Sequence, residues 1–195
     1  MNQEEKKRII KALKAGAIGI LPTDTLYGIV GSALNPETVQ KIYDLRKRAP
    51  QKPMIILISS IEDLELFGIP VDDKSRKILE KLWPNPVSIV LPCNKDSLEY
   101  LDRGTNSLAF RMPKNENLLN ILKETGPLVA PSANFEGQKP AETIEEAKKY
   151  FGDSVDMYVD AGRLQSSPST IIEFKDGEIN ILRQGAFQID PNQLK

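Results

Sequence analysis

The chain has 195 residues, 40% hydrophobic and 27% charged, which fits one globular domain and excludes disorder and low complexity. Its 26 Lys+Arg against 27 Asp+Glu leave a formal net charge of -1, so any contact with phosphates or nucleic acid must use a local basic patch. It has no His and one Cys, Cys93, which removes Ser-His-Asp and Cys-His nucleophile systems, HExxH zinc sites, an intrachain disulfide and a Cys-based zinc site.

In chain order, residues 3–15 read as an amphipathic helix with Ile9, Ile10 and Leu13 on one face, stopped by Gly16. The N-terminus before it is charged and lacks a signal-peptide core, and no apolar run approaches the ~20 residues of a membrane span. With one thiol and no such segment, a cytoplasmic protein is expected. Ala17–Leu21 and Tyr27–Ala33 read as strands, and Pro36–Arg48 as a helix capped by Asn35 with Pro36 in the first turn. Met54–Ile58 is an apolar strand. Ser60–Phe67 and Asp73–Trp83 carry the helical period. Val87–Leu91 is a strand, with Cys93 half-buried after it, followed by a polar loop.

Ser107–Met112 alternates as a strand, putting Ser107, Ala109 and Arg111 on one face and Leu108, Phe110 and Met112 on the other. Asn115–Lys123 is a helix and Pro127–Ala130 a short strand opening onto Pro131-Ser132-Ala133-Asn134. Thr143–Phe151 is a helix with Thr143 and Glu146 as a capping box. Met157–Asp160, Thr170–Phe174 and Ile179–Leu182 are strands, the last two joined as a hairpin by Asp176-Gly177. Interleaved strands and helices predict an α/β (α+β) fold, a sheet with helices packed on it, as one domain over 1–195.

Neither GxxxxGK[ST] nor GxGxxG occurs, so a bound nucleotide would be held by Arg, Lys, hydroxyls and loop amides. Six segments offer such groups. Pro22-Thr23-Asp24-Thr25-Leu26-Tyr27-Gly28 is a dense set of donors and acceptors after a buried strand, where a turn closed by an Asx bond from Asp24 is an equal reading. Arg46-Lys47-Arg48 with Lys41 and Lys52 sets five cations against Asp44 at a helix end. Dipole compensation at the helix end is the alternative reading, but Pro50 and Pro53 stiffen the segment as a solvated face would not need. Arg111, at a strand end, is either a carboxylate clamp or a surface residue. Ser132 has no His to activate it and reads as a hydrogen-bond donor, with Asn134 two residues on. Pro168-Ser169-Thr170 enters a strand, and Arg183-Gln184-Gly185 follows the last one.

These six segments, in this order and spanning about 8–186, resemble the YrdC/Sua5 family of threonylcarbamoyl-AMP synthases in its short, single-domain form, without the extra C-terminal domain of the longer Sua5 form. The resemblance implies a twisted, mostly open sheet around a basic cavity. It implies that L-threonine, bicarbonate (or CO2) and ATP give threonylcarbamoyl-adenylate and pyrophosphate, with Mg2+ carried by the nucleotide and no dedicated metal site. A partner transferase would then pass the threonylcarbamoyl group to the tRNA adenosine beside the anticodon. By the same resemblance Thr25, Arg111 and Ser169 are threonine contacts, with Leu57 and Ala130 lining that pocket through their backbone. Arg48, Lys52, Ser107, Ser132 and Arg183 are ATP contacts. The implied catalytic set is Arg46, Arg48, Lys52, Ser132 and Asn134, the last shaping its loop. Where the family commonly has Lys-x-Arg, this chain has Arg46-Lys47-Arg48, a planar fork in place of a point cation. The rivals are a double-stranded RNA or tRNA-binding module without catalysis, disfavoured by the net charge, a paralogue with another carbamoyl substrate, and a structural α/β domain.

Overall fold

The structure is a computed structural model and describes residues 1–93, 95–175 and 178–189. The Asp176-Gly177 turn expected from the sequence lies outside them. Helix α1 (Gln3–Lys14) starts where Asn2 Oδ1 accepts from Glu5 N at 2.8 Å. It leads into β1 (Gly19–Pro22) and β2 (Tyr27–Ser32), an antiparallel pair. Helix α2 (Pro36–Arg46) is capped by Asn35 and is two residues shorter than its sequence pattern. Lys47 turns left-handed at φ 51, and Arg48 N–H donates to Tyr43 O at 3.0 Å. That early stop points Arg46 into the protein and leaves Arg48 in a loop.

After β3 (Ile55–Leu57), the expected helix at Ser60–Phe67 is a 3-10 helix, Ile61–Phe67, closed by Asp63 accepting from Ser59 N and Ser60 N. Next come α3 (Asp73–Leu82) and β4 (Val87–Pro92). The segment read as a polar loop contains a 3-10 turn (Asp96–Leu98) and the short α4 (Glu99–Asp102), which buries Leu98 and Leu101. The chain continues through β5 (Ser107–Arg111), α5 (Glu116–Thr125), β6 (Leu128–Val129), α6 (Ile144–Phe151), β7 (Met157–Tyr158), β8 (Thr170–Lys175) and β9 (Glu178–Arg183). The capping box of α6 is shifted. Thr143 Oγ1 accepts from Glu146 N at 3.3 Å, but the Glu146 carboxylate takes the N–H of Glu142.

The nine strands form one mixed sheet, ordered β7-β1-β2-β6-β3-β5-β4-β8-β9. Period-two alternation sends neighbouring residues to opposite faces. Ile20, Ile29, Ile56, Phe110, Ile89 and Ile172 face the larger core, which also takes in Val39 and Ile42 of α2, Leu79 of α3 and Ala147 of α6. Leu21, Val30, Leu57 and Leu128 face a smaller core closed by Ile9, Ile10 and Leu13 of α1 and Leu118, Ile121 and Leu122 of α5. The smaller core covers β1, β2, β6 and β3 and stops there. Beyond β3 the same face carries Ala109 and Arg111, then Ser88 and Val90, then Ile171 and Glu173, then Arg183. Register places these as cross-strand neighbours: Ile55 beside Ala109, Ala109 beside Val90, Val90 beside Glu173, and Ile171 beside Arg183. No helix among the described residues is long and apolar enough to cross a membrane.

Candidate active site

The uncovered half of that face is the floor of two adjoining cavities. The first, about 270 Å3, is lined by the Thr23–Gly28 loop, Arg111, Ala130, Ser132, Asn134, Ser169 and Arg183, among others. The second, about 400 Å3, is lined by Arg46, Arg48, Met54, Val90, Ser107, Ala109, Ile171, Glu173 and Arg183, among others. Ile55, Pro131, Ser132 and Arg183 line both, so these residues form the junction.

Each wall is held by local chemistry. Thr23 Oγ1 donates to Leu26 O at 2.6 Å and closes the Pro22–Gly28 turn. This hydroxyl turn stands in place of the Asx turn from Asp24, whose Oδ2 instead accepts from Lys114 N at 3.4 Å. The Pro131–Asn134 segment runs along β2, with Ile29 N donating to Pro131 O and Ala133 N to Tyr27 O. The end of β9 folds back onto Pro168-Ser169-Thr170: Thr170 Oγ1 accepts from Gly185 N at 3.0 Å, and Ala186 N donates to Pro168 O. A Cβ at position 185 would collide with the Pro168 and Ser169 carbonyls, which is why Gly follows Arg183 by two. Arg183 thereby donates from Nη2 to Ser169 O at 2.7 Å, and Ser169 Oγ lies 2.9 Å from Ser88 Oγ.

Three guanidiniums set the electrostatics. Arg111 is 3% exposed. Its Nη2 is 3.3 Å from Asp24 Oδ1, and its Nη1 donates to Thr25 Oγ1 at 3.3 Å. Burial lowers its pKa, the Asp24 carboxylate opposes that, and the nearby Arg183 charge adds to the lowering. Arg46 donates from Nε to Asn134 O and from Nη2 to Asn134 Oδ1 and Ser132 Oγ. Burial, then the neighbouring Arg48, bring its pKa down to about 10, against a raising effect of Glu136. Burial also lowers Arg183. Among the described residues the buried side-chain atoms without a hydrogen-bond partner are Asp24 Oδ1, Arg46 Nη1, Arg103 Nε and Arg111 Nε, of which Arg46 and Arg111 belong to residues lining the cavities. Buried guanidinium donors left unpaired on cavity walls fit an anionic ligand, which would supply the missing acceptors.

Ten of the twelve site residues expected from the sequence come together here: Thr25, Arg46, Arg48, Ser107, Arg111, Ala130, Ser132, Asn134, Ser169 and Arg183. Two do not line either of these cavities. Leu57 is fully buried in the smaller core under α1 and α5, two residues after Ile55 on the same face, and Ile55 takes the lining place. Lys52 points away, its Nζ paired with Glu136 Oε1 at 2.6 Å. Arg48 lines the second cavity, while its Nε and Nη2 also hold the carbonyls of Lys52 and Pro53. Thr25 touches Arg111, and Asn134 touches Arg46. Sequence reasoning did not reach Asp24 as partner of Arg111, Ser88 as anchor of Ser169, or Glu173 on the cavity floor. Only the alternation of Ser88 and Glu173 with apolar neighbours signalled the last two. Among the described residues no group of three or more His, Cys, Asp or Glu could hold a metal ion.

The chain is similar to known proteins over most of its length. A family profile for Sua5, YciO and YrdC proteins, described as telomere recombination, matches residues 11–185. A relative from Methanocaldococcus jannaschii is 33% identical over 194 residues, covering 97% of this chain and 91% of its own. A threonylcarbamoyl-AMP synthase of Idiomarina loihiensis is 33% identical over 153 residues, 76% of this chain and 81% of that one. Among solved structures, P. abyssi Sua5 complexed with L-threonine matches with a TM-score of 0.87 at 26% identity over 95% of this chain, which spans only 55% of that protein. E. coli YciO matches with a TM-score of 0.85 over 97% of this chain and 93% of its own; at 18% identity that likeness speaks to the fold alone.

Proposed function

The chain belongs to the Sua5/YciO/YrdC family, and from that premise we propose that it is an L-threonylcarbamoyladenylate synthase, a nucleotidyltransferase acting on L-threonine, CO2 (or bicarbonate) and ATP. The observation that carries the reading is the pair of cavities meeting at Ile55, Pro131, Ser132 and Arg183. The smaller one suits an amino acid. Arg111 and the Ser169 hydroxyl would take its carboxylate. The larger one suits a nucleotide, with Arg46, Arg48 and Arg183 facing the phosphates and Met54, Val90 and Ile171 as an apolar bed for the nucleoside.

The amine of threonine, once neutral, attacks CO2 and loses a proton to form a carbamate. A carbamate oxygen then attacks the α-phosphorus at the junction, and the bond to the β-phosphate oxygen breaks to release pyrophosphate. The carbamate is already an anion, so this step needs no imidazole base. It needs positioning and a field that offsets charge on the transferring and leaving phosphates, which the arginines and the Ser132 hydroxyl supply. Among the described residues no cluster of His, Cys, Asp or Glu could cage a metal ion, and Mg2+ would arrive on the ATP phosphates, where it would offset their charge. Transfer of the product to tRNA by a partner enzyme completes the proposed role.

The test is pyrophosphate release with each substrate omitted in turn, and with serine and valine in place of threonine. The expected outcome is turnover only with all three substrates, weak use of serine, and none of valine. A pocket that recognises one methyl discriminates by about 1–3 kcal/mol, whereas one that hydrogen-bonds a hydroxyl rejects its absence more strongly. Turnover with a different amino acid would assign a paralogous reaction. Salt-sensitive tRNA binding without turnover would assign an RNA-binding module.

A further inference from the structure

The loop between α2 and β3 is tied to the chain just past Asn134 by Lys47, whose Nζ lies 4.2 Å from the Phe135 ring centroid, and by Glu136. Glu136 lies just past Asn134, and its N–H donates to Arg46 O at 2.9 Å. Its Oε2 accepts from Ala49 N at 2.5 Å and its Oε1 from Lys52 Nζ at 2.6 Å. These contacts hold the Glu136 carboxyl below the usual range, the Lys52 bond first and the Ala49 amide second. One carboxylate thus anchors the loop's backbone with one oxygen and its outermost cation with the other. The cation so held is the one expected at the phosphates, and it does not line the second cavity.

We propose that Glu136 is the positioning residue of this basic loop, a counter-ion that parks Lys52 outside the phosphate cavity until a nucleotide phosphate takes its place. The proposal rests on the reading of the second cavity as the ATP phosphate site. The exchange is favourable because a polyphosphate offers more charge and more acceptors than one carboxylate, while an ammonium–carboxylate pair in contact with water contributes little. Lys52 is 62% exposed, so it swings on a solvated stem without disturbing the core. The Ala49 contact does not depend on Lys52, so the loop backbone, and Arg48 with it, stays in place during the exchange.

The test is a double-mutant cycle on the full chain, read as ATP affinity by calorimetry and as KM for ATP and for threonine. Glu136→Gln keeps an oxygen for Ala49 N and removes the charge that competes for Lys52. It is expected to tighten ATP binding about two- to fivefold, the range open to an exposed ion pair, with threonine KM unchanged. In a Lys52→Ala background the same substitution is expected to leave ATP affinity unchanged. An ATP affinity in Glu136→Gln that is unchanged or weaker overturns the proposal. An equal gain without Lys52 also overturns it, because the effect would then be a general change of field. A wild-type chain that binds no ATP overturns the functional reading itself, and this proposal with it.

Discussion

The two halves of one sheet face share a backbone and differ in what covers them. Over β1, β2, β6 and β3 the face presents Leu21, Val30, Leu128 and Leu57, and α1 and α5 close it with Ile9, Ile10, Leu13, Leu118, Ile121 and Leu122. Over β5, β4, β8 and β9 it presents Ser107, Ala109, Arg111, Ser88, Val90, Ile171, Glu173 and Arg183, and two cavities stand where helices would. The opposite side of the same strands is mostly apolar, from Ile20 and Ile29 across to Phe110, Ile89 and Ile172, with Thr170 a buried polar residue on it. One continuous core on one side pins the sheet, and half of the other side is left free for polar and charged groups that no core would accept. The strand-borne residues of the site alternate with core residues on the same strands. Arg111 stands between Phe110 and the partly buried Met112, and both pack in the larger core.

The comparison breaks most severely at Arg111, the charge at the boundary between the halves. Arg111→Ala should raise the threonine KM about 10- to 100-fold, from loss of a hydrogen bond to a charged group, with a far smaller change for ATP. It also leaves Asp24 buried without its partner, and unpairing a buried charge costs about 3–5 kcal/mol. Chemical denaturation should show that loss. Asp24→Asn combined with Arg111→Ala should recover much of the stability and none of the threonine affinity. Equal losses for both substrates would point to collapse of the strand end instead.

A paired substitution sharpens the contrast. Leu57→Ala opens a void in the covered half and should cost about 2–5 kcal/mol, read as a lowered denaturation midpoint. Ala109→Leu on the uncovered half adds carbons over open cavity, so stability should hold while ATP binding falls. If Ala109→Leu destabilised the protein as much as Leu57→Ala, the two halves would be alike.

Thr25→Val tests the positioning role beside Arg111. It removes the acceptor of Arg111 Nη1 and leaves a further guanidinium donor unpaired. A loss of about tenfold in threonine turnover, near the 1.5 kcal/mol lower end for a hydrogen bond to a charged group, is expected, with ATP affinity intact.

The smallest effect lies at the rim. Glu142 accepts from Lys139, Arg163 and Gln165 and so ties the 163–165 segment to the 139–142 loop. Those contacts bring its pKa from 4.5 down to about 2. The group is depressed in the folded state, so its contribution is complete above about pH 4.5 and is lost as pH falls toward 2. Carboxyl titration by NMR should place the midpoint near 2, and Glu142→Gln should remove that step from the acid stability profile.

Much of this was legible in the sequence because the signals are local. Alternation in Ser107–Met112 separated the site face from the core face, and it did so correctly. Asn35 and Pro36 marked the start of α2, and Asn115 and Thr143 marked α5 and α6. The absence of His and of a phosphate-binding glycine loop narrowed the chemistry to arginines, lysines, hydroxyls and loop amides. The remainder depends on contacts distant in sequence. Lys52 could be read as a cation but not as one held by Glu136, 84 positions later. Leu57 reads like Ile55, two positions earlier on the same face, and only the placement of α1 and α5 puts one in the core and the other on the cavity wall. Asp24 sits in a turn-forming sequence, and only the end of β5 gives its carboxylate a buried arginine to neutralise. By itself the sequence determined the elements, the faces and the set of charged and hydroxyl groups, because periodicity and capping act within one turn or one strand. The tertiary structure decided which half of the face stays open and which cation is turned away from it, because those choices depend on which helix covers which strand.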